Sequence, residues 1–436
     1  MRNSRPVFPL VVLLVITTFV IWPLLKIGYT SNMGSLEPAT LVMAKRVAED
    51  GIWGWYQNWY LGFPFRFAGP PLTWWLLGFL KWANIADVLN SYRLLFFASL
   101  VLFPISFYFL AKKIFESAND SLDATKKRSA DLKISATSLS LPRSSLRPAS
   151  AIGKTRSLLQ AGLRHVFGWR QSYHQSLPAF ISTFVLIFLP SVGYFFGKYF
   201  LVGSQFGFAP SWLISASLAR SAALVLFPIV ILAFWRLLEE INYRNLIICI
   251  FSAAILFLVD GVTPFSLLIA LAVLLVIEGH KGKFFEKLVS VGLALILAFL
   301  VDAFFFTPAN IKVIATSPSI SGIGLISFLK TIFQAGLGIA PAVLAVIWLK
   351  MLSKNRKEQA FIILWLLPFV TITLLFYFSN KDFLTEYIRF LPEVEMGVAL
   401  LVGYWVAQKV SSIQYPEFMV SSCPGNNFDY WRVQSL

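Results

Sequence analysis

Charged residues are scarce in this chain, and acidic residues are the scarcest of them. Asp, Glu, Lys and Arg make up 13% of the 436 residues, with 21 acids against 37 Lys and Arg. A water-soluble domain carries about 25%. Two cysteines, Cys249 and Cys423, are too few for a disulfide framework, so they leave the redox compartment open. The low charge excludes an ordinary soluble fold.

Several catalytic signatures are missing as well. The three histidines are His165, His174 and His280, and their spacing is not that of metal ligands. The chain has no phosphate-binding Gly-Lys-Ser/Thr loop, no dinucleotide fingerprint and no serine-nucleophile elbow. These absences argue against nucleotide-driven chemistry and against a histidine-based metal site.

Long apolar runs dominate what is present. Hydrophobic residues make up 57% of the chain, and the mean hydropathy is +0.72. A helix needs roughly 20 apolar residues to cross ~30 Å of hydrocarbon. The sequence therefore predicts an all-α, polytopic membrane protein of about ten transmembrane helices. The predicted spans are 7–27, 92–111, 179–200, 213–235, 246–260, 263–278, 288–307, 329–349, 360–378 and 394–410.

The distribution of basic residues predicts the orientation. An even number of spans puts both termini on one side, and a cytoplasmic N-terminus assigns most of the 37 Lys and Arg to inner segments. We therefore expect an integral plasma-membrane protein with both termini in the cytoplasm. The first run, Val7 to Leu25, is too long for a signal-peptide core and has no cleavage site after it, so it is expected to be a retained span.

The chain divides into four predicted parts. Residues 1–111 hold the first two spans and the outer loop 28–92, and 179–410 form an eight-span bundle followed by a short cytoplasmic tail, 411–436. The linker 112–178 carries 12 Lys and Arg against four acids and is rich in Ser, which predicts a disordered cytoplasmic segment. Topology and anionic lipid explain its charge, so membrane lipids rather than nucleic acid are the expected partners.

The outer loop 28–92 has the pattern of a segment that lies along the membrane surface. Pro38 suits the first turn of a helix, and Glu37 places a carboxylate at the positive end of that helix dipole. A second apolar segment, Leu72 to Trp82, is only about 16 Å long as a helix, too short to cross. Both are expected to be interfacial juxtamembrane helices. The apolar face of the first comprises Leu41, Ala44, Val47 and Ala48.

Three motifs resemble one known superfamily. The stretch WGWYQNWYLGFPFRFAGPPLTWW at 53–75, placed between Glu37 and Arg93, looks like the first outer loop of C-type integral-membrane glycosyltransferases. More narrowly, the chain resembles a membrane family named for a "6-pyruvoyl-tetrahydropterin synthase-related" domain. The motifs VDAFFFTP at 301–308 and EYIRFLPEVEMGVALLVGYW at 386–405 are similar to later spans of that family.

The resemblance implies transfer of a sugar from a polyprenyl-phosphate donor to an acceptor on the outer face. Glu37 matches the first-loop acid, which takes the acceptor proton or orients a divalent ion such as Mg²⁺ or Mn²⁺. Arg93 and Arg389 are candidates for the donor phosphate because guanidinium matches phosphate oxygens bidentately, with Arg66 and Lys381 as weaker candidates. The alternatives are a surface charge at a helix start and snorkelling span-end arginines.

Two further acids are candidates for a second carboxylate. Asp302 lies inside a predicted span and therefore needs a partner, for which Arg220 is the candidate. Its alternative role is a buried pair that fixes helix packing. Asp260 precedes Gly261 and Pro264, a pattern typical of a turn between two spans.

Three function classes fit the sequence. The first is the polyprenyl-phosphate-dependent glycosyltransferase. The second is a transporter of lipids or lipid-linked glycans, although the chain shows no clear internal repeat. The third is a non-catalytic membrane protein with a degenerate glycosyltransferase fold, which is favoured by Glu at position 37, where the superfamily usually has aspartate.

Overall fold

The computed structural model describes ten separate stretches of the chain, and within them the protein is helical. The predicted all-α class is confirmed for this part of the chain. A minimal antiparallel pair, Trp55–Tyr56 (β1) with Phe63–Pro64 (β2), interrupts it in the first loop. The described residues are 7–26, 36–51, 55–56, 63–64, 71–138, 176–189, 217–279, 283–305, 357–379 and 387–413.

Apart from α4, most of the described helices lie close to the predicted spans. The helices are α1 (Val7–Lys26), α2 (Leu36–Asp50), α3 (Leu72–Trp82), α4 (Val88–Ser138), α5 (Ser176–Phe188), α6 (Leu218–Glu239), α7 (Tyr243–Val259), α8 (Thr263–Gly279), α9 (Phe284–Val301), α10 (Lys357–Ser379) and α11 (Leu391–Ile413), with a 3-10 turn (Tyr387–Phe390) before α11.

Three of these helices are long and apolar enough to cross a membrane: Val88–Glu116, Leu218–Glu239 and Phe284–Val301. Shorter apolar helices occupy five of the other predicted spans, namely Phe8–Trp22, Ser176–Phe188, Tyr243–Val259, Thr263–Glu278 and Gln359–Thr373. The predicted span 329–349 lies outside the described residues. The apolar helices are consistent with a membrane protein, while the count of ten spans stays a prediction.

Helix α4 is longer than the sequence predicted. The second span was expected to end at residue 111, but α4 continues to Ser138 and so includes the first part of the predicted linker. Lys and Ala, which favour helix, make up nine of the 27 residues of this continuation, and no proline follows Pro104 within it. The rest of the linker, up to residue 175, lies outside the described residues.

Aromatic side chains fill the centre of the helical bundle. Trp365 of α10 is fully buried, and its ring lies 5.7 Å from those of Phe361 and Phe227 and 5.6 Å from that of Phe369. Because lipid tails are as apolar as these rings, close packing rather than escape from water holds the helices together. The α10 helix is thereby fixed against α6.

Helices α2 and α3 form a hairpin that is docked on one end of the bundle. Ala44 of α2 and Leu77 of α3 are buried together with Val88 and Tyr92 of α4 and Leu218 of α6. The predicted apolar face of α2 is confirmed, since Ala44 and Val47 are buried, Leu41 and Ala48 are partly buried, and Lys45 and Glu49 are exposed. The predicted bounds of α3, Leu72 to Trp82, are confirmed too.

Close approach of α2 to α3 depends on Gly78. A Cβ atom added there would lie 2.6 Å from Cγ1 of Val47 and 2.9 Å from the carbonyl oxygen of Ala44. We expect Gly78→Ala to destabilise the hairpin by about 1–3 kcal/mol, because overpacking forces the two helices apart. Hydrogen exchange of the α2 amides measures this effect as faster exchange over residues 36–50.

Gly292 in α9 supplies the matched control for this substitution. A Cβ atom there meets nothing within 4 Å. Gly292→Ala should therefore leave α2 exchange unchanged and stabilise α9 by about 0.5–1 kcal/mol, since alanine favours helix over glycine. Equal exchange in wild type and Gly78→Ala would contradict the proposed role of the small residue.

A candidate functional site where three helices begin

Three helices begin at one end of the bundle, and their first turns converge. The side chain of Ser217 accepts the Arg220 amide at 3.2 Å to cap α6, and Asp260 accepts the Thr263 amide at 3.0 Å at the start of α8. Helix α11 begins at Leu391 and carries Glu393 in its first turn. We call this end of the bundle the cluster end, after the charged side chains that meet there.

Arg220 connects all three helix starts. Its Nη1 donates to Oδ2 of Asp260 at 3.3 Å and to Oγ1 of Thr263 at 2.6 Å. Its Nη2 donates to both carboxylate oxygens of Glu393, at 2.7 and 2.9 Å, and also to the backbone oxygen of Arg389. The side chain is 5% exposed, so water cannot replace these partners. We call Arg220, Asp260 and Glu393 the charged cluster.

Glu393 is the most enclosed member of the charged cluster. It is fully buried, and Oε1 accepts a further hydrogen bond of 2.8 Å from Ser266 of α8. Its backbone oxygen accepts the indole N–H of Trp365 at 2.8 Å. Glu393 therefore joins the charged cluster, through its side chain, to the aromatic core, through its backbone.

The charged cluster carries one net negative charge, because one guanidinium faces two carboxylates. Three helix N-termini meet there, and each supplies roughly half a positive charge. These dipoles offset the excess negative charge, so no second cationic side chain is needed to balance it. A buried ion pair contributes little net stability but costs much when one partner is lost, so the arrangement fixes how the helices meet.

The hairpin of α2 and α3 lies at the cluster end. Leu218, which belongs to the same buried cluster as Ala44 and Leu77, lies in the same first turn of α6 as Arg220. Helix α3 also reaches the end of α9, where the ring of Trp75 stacks on that of Phe304 at 5.9 Å. The described hairpin of this predicted loop is thus packed near the start of α6 and against the turn that follows α9.

The structure corrects the predicted partner of Asp302. Arg220 pairs with Asp260 and Glu393, whereas the two carboxylate oxygens of Asp302 are buried and have no hydrogen-bond partner among the described residues. Asp302 follows the last residue of α9 and is fully buried. Asp260 does occupy a turn between two helices, as predicted, but it is buried and ion-paired rather than simply part of a loop.

The remaining predicted site residues differ in how far the structure describes them. Glu37 lies in the first turn of α2, but its side chain is outside the described part, and Arg66 and Lys381 are outside it altogether. Arg93 and Arg389 are partly buried near the cluster end, Arg93 beside Tyr92 and Arg389 just before α11. Among the described residues neither guanidinium forms an ion pair.

Sequence reasoning missed Glu393 as a site residue. It lies at the edge of the predicted span 394–410, and Glu395, also fully buried, lies inside it. Acids at such positions are costly in hydrocarbon and are expected to mark a site. That rule, applied to Glu393 as it was to Asp302, would have indicated the charged cluster.

The described ranges contain no group of three or more His, Cys, Asp and Glu side chains able to hold a metal ion. Asp260 already accepts from Arg220 and Thr263, so it does not fit as a ligand. The divalent ion implied for Glu37 therefore stays a proposal, and no step of the chemistry is derived through it.

In comparisons with known proteins, no family model, no curated protein and no solved structure matches the chain.

Proposed function

We propose that this chain is a membrane glycosyltransferase that transfers a sugar from a polyprenyl-phosphate donor to an acceptor on the extracytoplasmic face. The observation that carries the proposal is that three helices begin at the cluster end, where the α2–α3 hairpin shares a buried cluster with Leu218 at the start of α6. Glu37 belongs to the first turn of α2.

Binding of a phosphate at the cluster end is supported by two arginines. The helix N-termini there already face Ser217, Asp260 and Glu393, so the attraction for an anion has to come from guanidinium groups. Both Nη atoms of Arg220 are engaged by Asp260 and Glu393, whereas Arg389 and Arg93 have no acidic partner among the described residues. Arg389 is also held in place, because its backbone oxygen accepts from Arg220. Either guanidinium can stabilise the departing phosphate.

A lipid-borne donor fits the surface of α3. Leu76, Phe79 and Trp82 on this short helix are exposed, although they are large and apolar. In a membrane protein such a helix lies at the boundary between headgroups and acyl chains, and there tryptophan satisfies both its ring and its N–H. A polyprenyl chain in the bilayer then has its phosphate at the level of the cluster end.

Substitution of Glu37 by Gln tests the proposed activity. The change keeps the size of the side chain and removes its charge, so sugar transfer from polyprenyl-phosphate donors should fall by about 100-fold or more. The measurement is transfer of radiolabelled sugar to endogenous acceptors in membranes that contain the full chain.

Glu49→Gln is the matched control, since Glu49 lies on the same helix. It is 47% exposed and forms surface ion pairs with Lys45 at 3.9 Å and Arg46 at 3.5 Å, which contribute little. Its variant should transfer sugar at the wild-type rate. Transfer by Glu37→Gln at the rate of Glu49→Gln would refute the role of Glu37. Movement of a labelled lipid across vesicles without sugar transfer would instead indicate the transporter.

A further inference from the structure

The turn before α11 is held through a contact to its main chain. Residues Tyr387–Phe390 form a single 3-10 turn that contains Arg389. The backbone oxygen of Arg389 accepts from Nη2 of Arg220, which lies 169 residues earlier in the chain. The next residue, Phe390, is fully buried, and its ring lies 6.4 Å from that of Phe369 in α10. Because a 3-10 turn has poorer internal hydrogen bonds than an α-helix, these outside contacts determine where the backbone of Arg389 lies.

Arg220 can fix this turn because its own side chain is held on several sides. It is 5% exposed, and its Nη1 donates to Asp260 and Thr263. The Nη2 that contacts the Arg389 oxygen also donates to both carboxylate oxygens of Glu393, at 2.7 and 2.9 Å. One nitrogen therefore fixes the 3-10 turn relative to the first turn of α11.

The side chain of Arg389 has a different environment from its backbone. It is partly buried, and among the described residues it has no ionic partner. An arginine loses conformational entropy when it binds a ligand, and a fixed backbone lowers that loss because it limits the positions that the guanidinium can take. The backbone contact from Arg220 therefore affects how tightly Arg389 binds an anion.

We propose that Arg220 is a positioning residue for the phosphate of the donor and that it acts through the backbone of Arg389. This inference rests on the proposed function, in which Arg389 binds that phosphate. Arg220 does not bind the phosphate itself, because both of its Nη atoms are engaged within the charged cluster. The ligand class is a phosphate that is carried by a prenyl chain.

The substitution Arg220→Lys separates the shape of the side chain from its charge. Lysine keeps the positive charge, so the long-range attraction of a phosphate to this end of the bundle is unchanged. Its single ammonium group lacks the planar fork of the guanidinium and cannot keep the contacts to Asp260, to Glu393 and to the Arg389 oxygen together. A loss of binding in this variant therefore reports the contacts rather than the charge.

The first measurement is saturation binding of radiolabelled farnesyl phosphate to the full chain in detergent. Arg220→Lys and Arg389→Gln should each weaken binding about tenfold or more, the range expected for a lost charge-assisted hydrogen bond. The double variant should bind no more weakly than Arg389→Gln alone, because the residue through which Arg220 acts is already gone. Unfolded protein lowers the number of sites and leaves the Kd of the folded fraction unchanged.

Two controls distinguish positioning from a general structural role. Arg93 lies on α4 and takes no part in the contacts of the charged cluster, so the losses from Arg93→Gln and Arg220→Lys should multiply. Farnesol lacks the phosphate, and its binding should be the same in wild type and in Arg220→Lys. Multiplied losses for Arg220→Lys and Arg389→Gln would overturn the positioning role.

A milder variant carries the same test if Arg220→Lys does not fold. Glu393→Gln weakens the hold on Nη2 of Arg220 and leaves the pair with Asp260 in place. It should weaken binding of farnesyl phosphate several-fold in the wild-type background and have no further effect in the Arg389→Gln background. A full effect in both backgrounds would contradict the proposal.

Hydrogen exchange decides the role of Arg220 without any ligand. Amides of Tyr387–Phe390 should exchange about tenfold faster in Arg220→Lys or Glu393→Gln, whereas those of α9, which contributes no side chain to the charged cluster, should change far less. Unchanged exchange over the turn would overturn the positioning role and leave the proposed function standing. If wild type bound farnesyl phosphate no better than farnesol, the proposed donor would be refuted, and the exchange alone would decide whether Arg220 holds the turn.

Discussion

Replacing Arg220 with Met should destabilise the protein by about 3–5 kcal/mol, the largest loss expected from a single substitution in the charged cluster. Asp260 and Glu393 would remain as two buried carboxylates with no cation between them. The measurement is the free energy of unfolding in detergent, followed by helix content. Arg244→Met makes the same exchange at an exposed position and should change stability by less than about 0.5 kcal/mol.

Further variants show whether charge or packing causes the loss. Glu393→Gln should cost less than Arg220→Met, because it leaves a neutral pair of Arg220 and Asp260. Combining Arg220→Met with Asp260→Asn and Glu393→Gln should recover much of the stability, since no uncompensated charge remains and the Asn can still accept the Thr263 amide. An Arg220→Met protein as stable as wild type would contradict this account of the charged cluster.

Replacing Trp365 with Ala should cost about 3–5 kcal/mol, the range observed when a large buried aromatic is lost. The fully buried ring contacts three phenylalanines, and its Nε1 donates to the Glu393 carbonyl at 2.8 Å. Burial of an apolar ring adds no hydrophobic stabilisation when the surroundings are lipid. The loss therefore arises from the cavity and from the broken hydrogen bond. The same unfolding measurement applies.

Two matched variants divide the contribution of Trp365. Trp365→Phe keeps an aromatic ring and removes the donor to Glu393, so about 1–2 kcal/mol should be lost. Trp405 on α11 is 58% exposed, and Trp405→Ala should leave stability nearly unchanged. If Trp405→Ala proved as damaging as Trp365→Ala, the central packing of α10 would not be what stabilises the bundle.

Local sequence predicted the elements that carry the candidate site. Leu72 to Trp82 is apolar and followed by a turn, so its bounds as a helix could be predicted directly, and the apolar face of α2 followed from spacing within the same helix. The length of α4 could not be predicted from hydropathy, because the helix continues beyond the apolar part, Val88–Glu116, into a polar segment.

The sequence by itself determined that the chain forms apolar helices, that Glu37 opens an amphipathic one, and that acids near hydrocarbon need partners. Only the tertiary structure decided which partners they obtain. Arg220 lies 40 residues from Asp260 and 173 from Glu393 along the chain. The order in which helices pack, and not any local pattern, brings those three together and leaves Asp302 without a cation in the described part of the chain. The pairing of side chains across a bundle depends on the direction of the helices and on which helices touch. The composition of the individual spans contains neither piece of information.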